Sequence, residues 1–360
     1  MIPVSKPFMP PLDEVVRHLQ RAWDVGVLTN HGPLATELEG ALRARLAAPH
    51  LSVVANGTLA LHVALRAFDV QGEVITTPMS FAATATSVLW EHCVPVFADV
   101  DPGSLNLDPT AARAAMTDKT TAILATHVYG NPCDVDAFER LRQETGCVLL
   151  YDAAHAFDVR VHGQSVLEYG DASALSFHAT KVFHTAEGGA IAVRDAERRA
   201  RVERLRNFGQ SAPGVFTELG TNAKLSELHA ALGLAVLAHL DGILDRRRSV
   251  ASSYDALLGP DSSALRRPTW HPDATRNHAY YPVLLADEGA VLTVLEALKL
   301  EGYLARRYFY PALNTLPYVE ARACPIAEDA ARRAICLPLH TEVSDGDVHK
   351  IAETVLAGVR

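Results

Sequence analysis

The chain has 360 residues, of which 49% are hydrophobic and 21% charged, and a formal net charge of −9. That length and apolar content support one large core and a second, smaller one. An acidic balance without a long run of Lys or Arg offers no electrostatic footprint for nucleic acid or an anionic membrane, so a small soluble partner is expected.

The opening stretch MIPVSKPFMPP lacks the apolar segment of a signal sequence, and no stretch reaches about 18 uninterrupted apolar residues. Neither secretion nor a membrane span is expected. Short β-rich runs then alternate with helical patterns. The predicted strands are LSVVA 51–55, EVITT 73–77, VPVFADV 94–100, TAILATH 121–127, CVLLYD 147–152, SALSF 173–177 and GAIAV 189–193. Helices are predicted at 58–68, 109–116 and 134–145. This alternation predicts an α/β fold with an open, mostly parallel sheet covered by helices on both faces. From about residue 223 a long helical stretch runs to LL at 258, followed by a strand HAYYPVLLA 278–286 and helices AVLTVLEALKLEG and DGDVHKIAETVLAGV. A domain division is therefore expected near residue 240. Arg246, Arg247 and Arg248 read as a solvated helix face.

Ligands on such sheets collect at the carboxyl ends of the strands, and three chemical signals fall there. Asn56-Gly57-Thr58 joins a strand to a helix, where backbone N–H groups and the helix dipole favour an anion, although an ordinary Asn-Gly cap has the same pattern. Asp152 ends an apolar strand, a position from which a carboxylate serves a ribose, a metal or a protonated ring nitrogen. His155 follows three residues later. Lys181 lies just past the strand SALSF, one of only six lysines in an arginine-rich chain. An amine, unlike a guanidinium, forms a Schiff base. Phosphate-type turn, strand-end Asp and strand-end Lys in this order resemble a pyridoxal phosphate site. Five cysteines without C-x-x-C spacing suggest neither a disulfide framework nor a zinc site, and a reducing cytoplasm is expected. His127, His155, His178 and His184 lack metal-ligand spacing, so no metal is expected.

Eight ordered segments, among them VVANGTLALHVAL 53–65, TTPMSFAATATSVL 76–89, YDAAHAFDV 151–159, SFHATKVFHTAEGGAI 176–191 and LGTNAKLSELHAALG 219–233, resemble the DegT/StrS family of sugar-nucleotide aminotransferases over nearly the whole chain. The resemblance implies the aspartate aminotransferase-like fold (fold type I): a large domain, 1–240, with a mostly parallel seven-stranded sheet, and a smaller α+β domain, 241–360. It also implies a homodimer with shared active sites. By motif position, Lys181 would hold pyridoxal 5′-phosphate covalently and Asp152 would partner its pyridine nitrogen. Gly57, Thr58 and Ser176 would hold the phosphate, Phe81 would lie against one ring face, and His155 near the other face or the ring hydroxyl. Asn222 would reach the phosphate of the neighbouring subunit.

The implied reaction has two halves. L-glutamate gives its amino group to the cofactor, leaving pyridoxamine 5′-phosphate and 2-oxoglutarate, and a nucleotide-linked keto sugar then takes it. In a smaller branch of the family His replaces the lysine and a hydroxyl is removed; Lys181 favours amino transfer. The segments VSKPFMPP and ARRYFYPALNTLPYV 305–319 look most like the branch that aminates C4 of dTDP-4-keto-6-deoxy-D-glucose. There Arg307-Tyr308 aligns with a His-Tyr pair that contacts the sugar nucleotide, and His178 is placed to face the sugar. Transfer to C3 of a 3-keto sugar is the near alternative. A non-catalytic cofactor-binding regulator is disfavoured, because Lys181 and Asp152 are both present and no basic recognition helix is evident.

Overall fold

The computed structural model of the chain describes residues 1–359. Seven apolar segments form one sheet: β1 (Leu51–Val54), β2 (Glu73–Thr76), β3 (Val94–Phe97), β4 (Thr120–Thr126), β5 (Val148–Asp152), β6 (Ala172–Ser176) and β7 (Gly189–Val193). Their spatial order is β1-β7-β6-β5-β4-β2-β3. β2 pairs parallel with β3 and β4, and the parallel ladder continues from β4 through β5 to β6. Only β7 runs against its neighbours, β1 and β6. This is the mostly parallel, seven-stranded sheet that the resemblance implied.

Successive side chains of a strand point to opposite faces, and the core divides accordingly. Leu51, Val53, Ile123, Ala125, Leu149 and Tyr151 join one buried cluster. Val54, Ala122, Leu124, Leu150, Ala174 and Ile191 join the cluster on the other face. Burial on both faces explains why these strands read in sequence as continuous apolar runs.

The helical stretch predicted beyond residue 223 is two helices, Glu227–Leu237 and Leu240–Leu258, bent by 61° to each other. His239 sits at the break, its Nε2 2.8 Å from a Glu14 carboxylate oxygen on the first helix of the chain. Among the described residues no single helix is long and apolar enough to cross a membrane.

Helix Leu240–Leu258 starts beside the expected division at 240 and leads into a three-stranded antiparallel sheet of Leu265–Arg266, Tyr281–Leu285 and Ala334–Leu337. Helices Glu288–Leu300 and Asp345–Gly358 pack with it around Tyr254, Val283, Leu298, Ile335 and Ile351. Ile2–Pro3 pairs in parallel with Tyr303–Leu304, joining the start of the chain to this later part. A further cluster joins Val4, Phe97 and Tyr129 with Phe309 and Cys336 from late in the chain. Through it Tyr308 and Phe309 come beside Asp152 and Ser176 at the ends of β5 and β6.

Candidate active site

A cavity of about 650 Å³ opens where β5 and β6 end and helix Gly57–Ala67 begins. Asn56 starts that helix by accepting the Leu59 N–H through its side chain at 2.8 Å, which leaves the first N–H groups facing the cavity. A Cβ on Gly57 would stand 2.7 Å from the Cβ of Ser176. Glycine is therefore required for the helix end to touch β6. Gly189 in β7 is held in the same way, since a Cβ there would come within 2.7 Å of the Asn56 carbonyl carbon.

Asp152 is only 5% exposed. Its Oδ2 accepts the Thr84 hydroxyl at 2.7 Å and its Oδ1 accepts the Ala154 N–H at 3.1 Å. Burial pushes its carboxyl pKa up, against the opposing effects of those two hydrogen bonds and the nearby Lys181 charge. Lys181 is carried by a loop closed on itself: Phe177 N–H donates to Gly188 O, Thr185 N–H to Phe177 O, and the Lys181 N–H to His178 O. Burial lowers its amine to about 8, with Asp152 pulling the other way. No ion pair joins the two among the described residues, so the amine remains available to a ligand.

His155 is 3% exposed, stacks on Phe309 with centroids 5.3 Å apart, and meets Tyr280 edge-on at 5.0 Å. Desolvation and then the Lys181 charge hold its pKa well below the usual value, so the ring is neutral at pH 7. Its Nδ1 has no hydrogen-bond partner. A buried, unpartnered ring nitrogen is costly unless a ligand completes it. Phe81, 62% exposed, presents its ring to the cavity.

Of the residues singled out by sequence, Gly57, Thr58, Phe81, Asp152, His155, Ser176, His178, Lys181 and Tyr308 line this one cavity. His178 is partly engaged already, its Nδ1 2.9 Å from the Thr180 hydroxyl. His184 is turned away, with Nε2 2.8 Å from Phe8 O. Asn222 lies outside the cavity on the surface, its Oδ1 accepting from Lys224 Nζ at 2.7 Å.

Arg307 departs from the expectation. Its guanidinium donates to Glu288 at 2.7 Å and to Arg332 O at 3.2 Å, and lies over the Tyr310 ring at 3.4 Å. Arg306 lines the cavity instead. Reciprocal backbone hydrogen bonds between Arg306 and Cys336, at 3.1 and 2.7 Å, fix Arg306 beside the strand Ala334–Leu337. The chain turns directly afterwards, the Tyr308 N–H donating back to the Arg306 carbonyl at 3.1 Å, so that Arg306, Tyr308 and Phe309 line the cavity while Arg307 reaches Glu288.

Thr84, Arg306 and His62 were not anticipated. Thr84 stands on helix Ala82–Trp90, one turn after Phe81, inside a segment quoted for its resemblance alone. His62 lines the cavity from helix Gly57–Ala67 and keeps Nδ1 2.9 Å from Glu91. A cluster of ligand type, His31, Glu39 and Glu203, lies elsewhere. Arg206 is inserted into it, pairing with Glu39 at 3.0 Å and also with Glu203 and His31, so the charge there is already matched.

The residues fit a planar, phosphorylated aldehyde cofactor. A helix N-terminus cradled on Ser176 suits its phosphate, a buried carboxylate its ring nitrogen, an orphaned histidine nitrogen its ring edge, and a desolvated amine its aldehyde.

Comparison with known proteins agrees. Residues 12–356 match the DegT/DnrJ/EryC1/StrS aminotransferase family. The chain is 39% identical over 358 residues to a dTDP-4-amino-4,6-dideoxy-D-glucose transaminase of Shigella dysenteriae, covering 98% of this chain and 97% of that protein. A protein of the same description from Escherichia coli is 36% identical, with 99% and 98% covered. Among solved structures, DesI in the presence of its TDP-sugar product superposes with a TM-score of 0.94 at 35% identity, covering 100% of this chain and 93% of that one. The chain belongs to the DegT/DnrJ/EryC1/StrS aminotransferase family. It is an aminotransferase, and pyridoxal phosphate is the cofactor that this membership implies.

Proposed function

We propose that this enzyme moves the amino group of L-glutamate to C4 of a nucleotide-linked 4-keto-6-deoxyhexose, converting dTDP-4-keto-6-deoxy-D-glucose into dTDP-4-amino-4,6-dideoxy-D-glucose. The carrying observation is the convergence of Lys181, Asp152 and the Gly57–Ser176 cradle in one cavity. The C4 assignment is supported by the two transaminase relatives at 39% and 36% identity.

Bound in this cavity, pyridoxal phosphate supplies an aldehyde that carries the amino group and a ring that accepts electrons. Asp152, fixed by Thr84 and Ala154, would pair with the ring nitrogen and favour its protonated form. The Lys181 Nζ, with a pKa lowered to about 8, accepts and returns the proton that moves at the donor Cα. Phe81 at the mouth would lie against the cofactor, and the unpartnered His155 Nδ1, its ring fixed by stacking on Phe309, would meet the ring edge. Glutamate and the keto sugar would use the same cavity in turn, with Lys181 as the proton carrier for both.

A second copy of the chain would complete the site. Phe208, Val215, Phe216 and Leu219 are exposed near Asn222, and this apolar surface favours burial against a partner. Asn222 would then serve the partner's phosphate-binding end, as the family resemblance implies.

Product NMR tests the assignment. Holoenzyme incubated with L-glutamate and dTDP-4-keto-6-deoxy-D-glucose is expected to yield 2-oxoglutarate and a sugar nucleotide bearing nitrogen at C4. An amine at C3, or no amino transfer to any 4-keto-6-deoxy sugar nucleotide, would contradict it.

A further inference from the structure

A transaminase that uses one cavity for two substrates must hold two unlike anions in turn: a dicarboxylate donor and a diphosphate-bearing acceptor. The basic side chains lining this cavity are few. Lys181 is reserved for the chemistry, His178 faces Glu187 at 3.8 Å, and His62 is engaged by Glu91 at 2.9 Å. Arg306 differs from all three. Among the described residues its guanidinium makes no hydrogen bond or ion pair, whereas neighbouring Arg307 is paired with Glu288.

The backbone of Arg306 is nevertheless fixed. It exchanges two hydrogen bonds with Cys336, and its carbonyl accepts the Tyr308 N–H at 3.1 Å. Three residues on, Phe309 stacks on His155 with an interplanar angle of 10°. The free guanidinium is thus tied through a short, packed segment to the floor of the cofactor site, while its side chain remains solvated until a ligand arrives. A guanidinium is suited to both anions, because its planar fork matches two carboxylate oxygens as well as two phosphate oxygens.

We infer that Arg306 is the shared anion anchor of this cavity, binding a carboxylate of the amino donor in the first half-reaction and the diphosphate of the sugar nucleotide in the second. This rests on the transaminase reading above. Arg306 then takes the substrate-binding role that the family resemblance implies for Arg307.

The test uses holoenzyme and follows each half-reaction separately through the absorbance of the bound cofactor. Arg306→Gln is expected to raise the glutamate concentration for half-maximal rate, and independently that for dTDP-4-keto-6-deoxyglucose, each roughly tenfold or more. Arg306→Lys should recover part of both, since charge is retained without the fork. Cofactor content and its spectrum should not change, which separates lost anion binding from lost folding. Half-saturation values within about twofold of wild type for both substrates would overturn the anchor. So would a defect confined to one half-reaction, because the sharing would then be wrong. Wild-type holoenzyme that fails to react with glutamate would instead sink the transaminase reading and the anchor with it.

Discussion

The Thr84 hydroxyl donates to Asp152 Oδ2 at 2.7 Å, with Ala154 N–H on the other oxygen. Burial alone raises the carboxyl pKa, and these two donors oppose that shift. Thr84 is therefore a positioning residue that helps keep Asp152 ionised. Thr84→Val is expected to lower kcat about tenfold and to move the acid limb of the kcat profile to higher pH. Thr84→Ser should restore both. An unchanged acid limb with lower kcat would mean that Thr84 serves packing only.

Gly57→Ala places a methyl group 2.7 Å from the Ser176 Cβ and must push the helix N-terminus away from β6. The predicted result is weaker cofactor retention, by roughly tenfold or more in dissociation constant, in a protein whose apo form melts within a few degrees of wild type. Cofactor titration by fluorescence quenching measures the first and calorimetry the second. Retention equal to wild type would show that this helix end does not hold the phosphate.

The Lys181 amine has a folded-state pKa of about 8, below its ordinary 10.5. Where both states are charged, below about pH 8, burial of the ammonium costs the apoprotein up to about 3 kcal/mol; the cost fades as pH rises from 8 to 10.5. Apo Lys181→Met is thus predicted to be more stable than apo wild type at pH 7, with the advantage shrinking at pH 9.5. Urea unfolding at both values checks this. An advantage that does not shrink with pH would assign the gain to packing rather than to relief of a buried charge.

Glu39 and Arg206 form a buried ion pair, at 3% and 2% exposure, with Glu39 also accepting the Val53 N–H at 2.9 Å. Breaking such a pair strands its partner. Glu39→Gln is expected to lose about 3 kcal/mol of unfolding free energy, against less for a Glu39→Gln/Arg206→Met double variant. Chemical denaturation decides between them.

Much of the fold was legible because the seven sheet strands bury both faces and therefore appear as apolar runs bounded by polar turns. Asp152 and Lys181 were legible for a related reason: both sit just where such a run stops. Thr84, by contrast, looks like any threonine on a helix, and only the pairing of β2, β4 and β5 brings its helix over Asp152. Glu227 is hidden in the same way. Its carboxylate caps a distant helix by accepting the Leu34 and Ala35 N–H groups at 2.7 and 2.9 Å, a contact between residues almost 200 positions apart. Arg306 and Arg307 could not be told apart in sequence, because which of two adjacent residues faces a cavity depends on the register fixed by Cys336. The break at His239 carries neither Pro nor Gly, so composition gave no sign of the 61° bend.

The most direct test of the account is the absorbance of the purified holoenzyme, recorded alone, after L-glutamate, and after subsequent dTDP-4-keto-6-deoxy-D-glucose, with Lys181→Ala beside it. A long-wavelength cofactor band that glutamate removes and the sugar nucleotide restores is expected, with no such cycle in the variant. A band that glutamate leaves untouched, or a full cycle in Lys181→Ala, would contradict it.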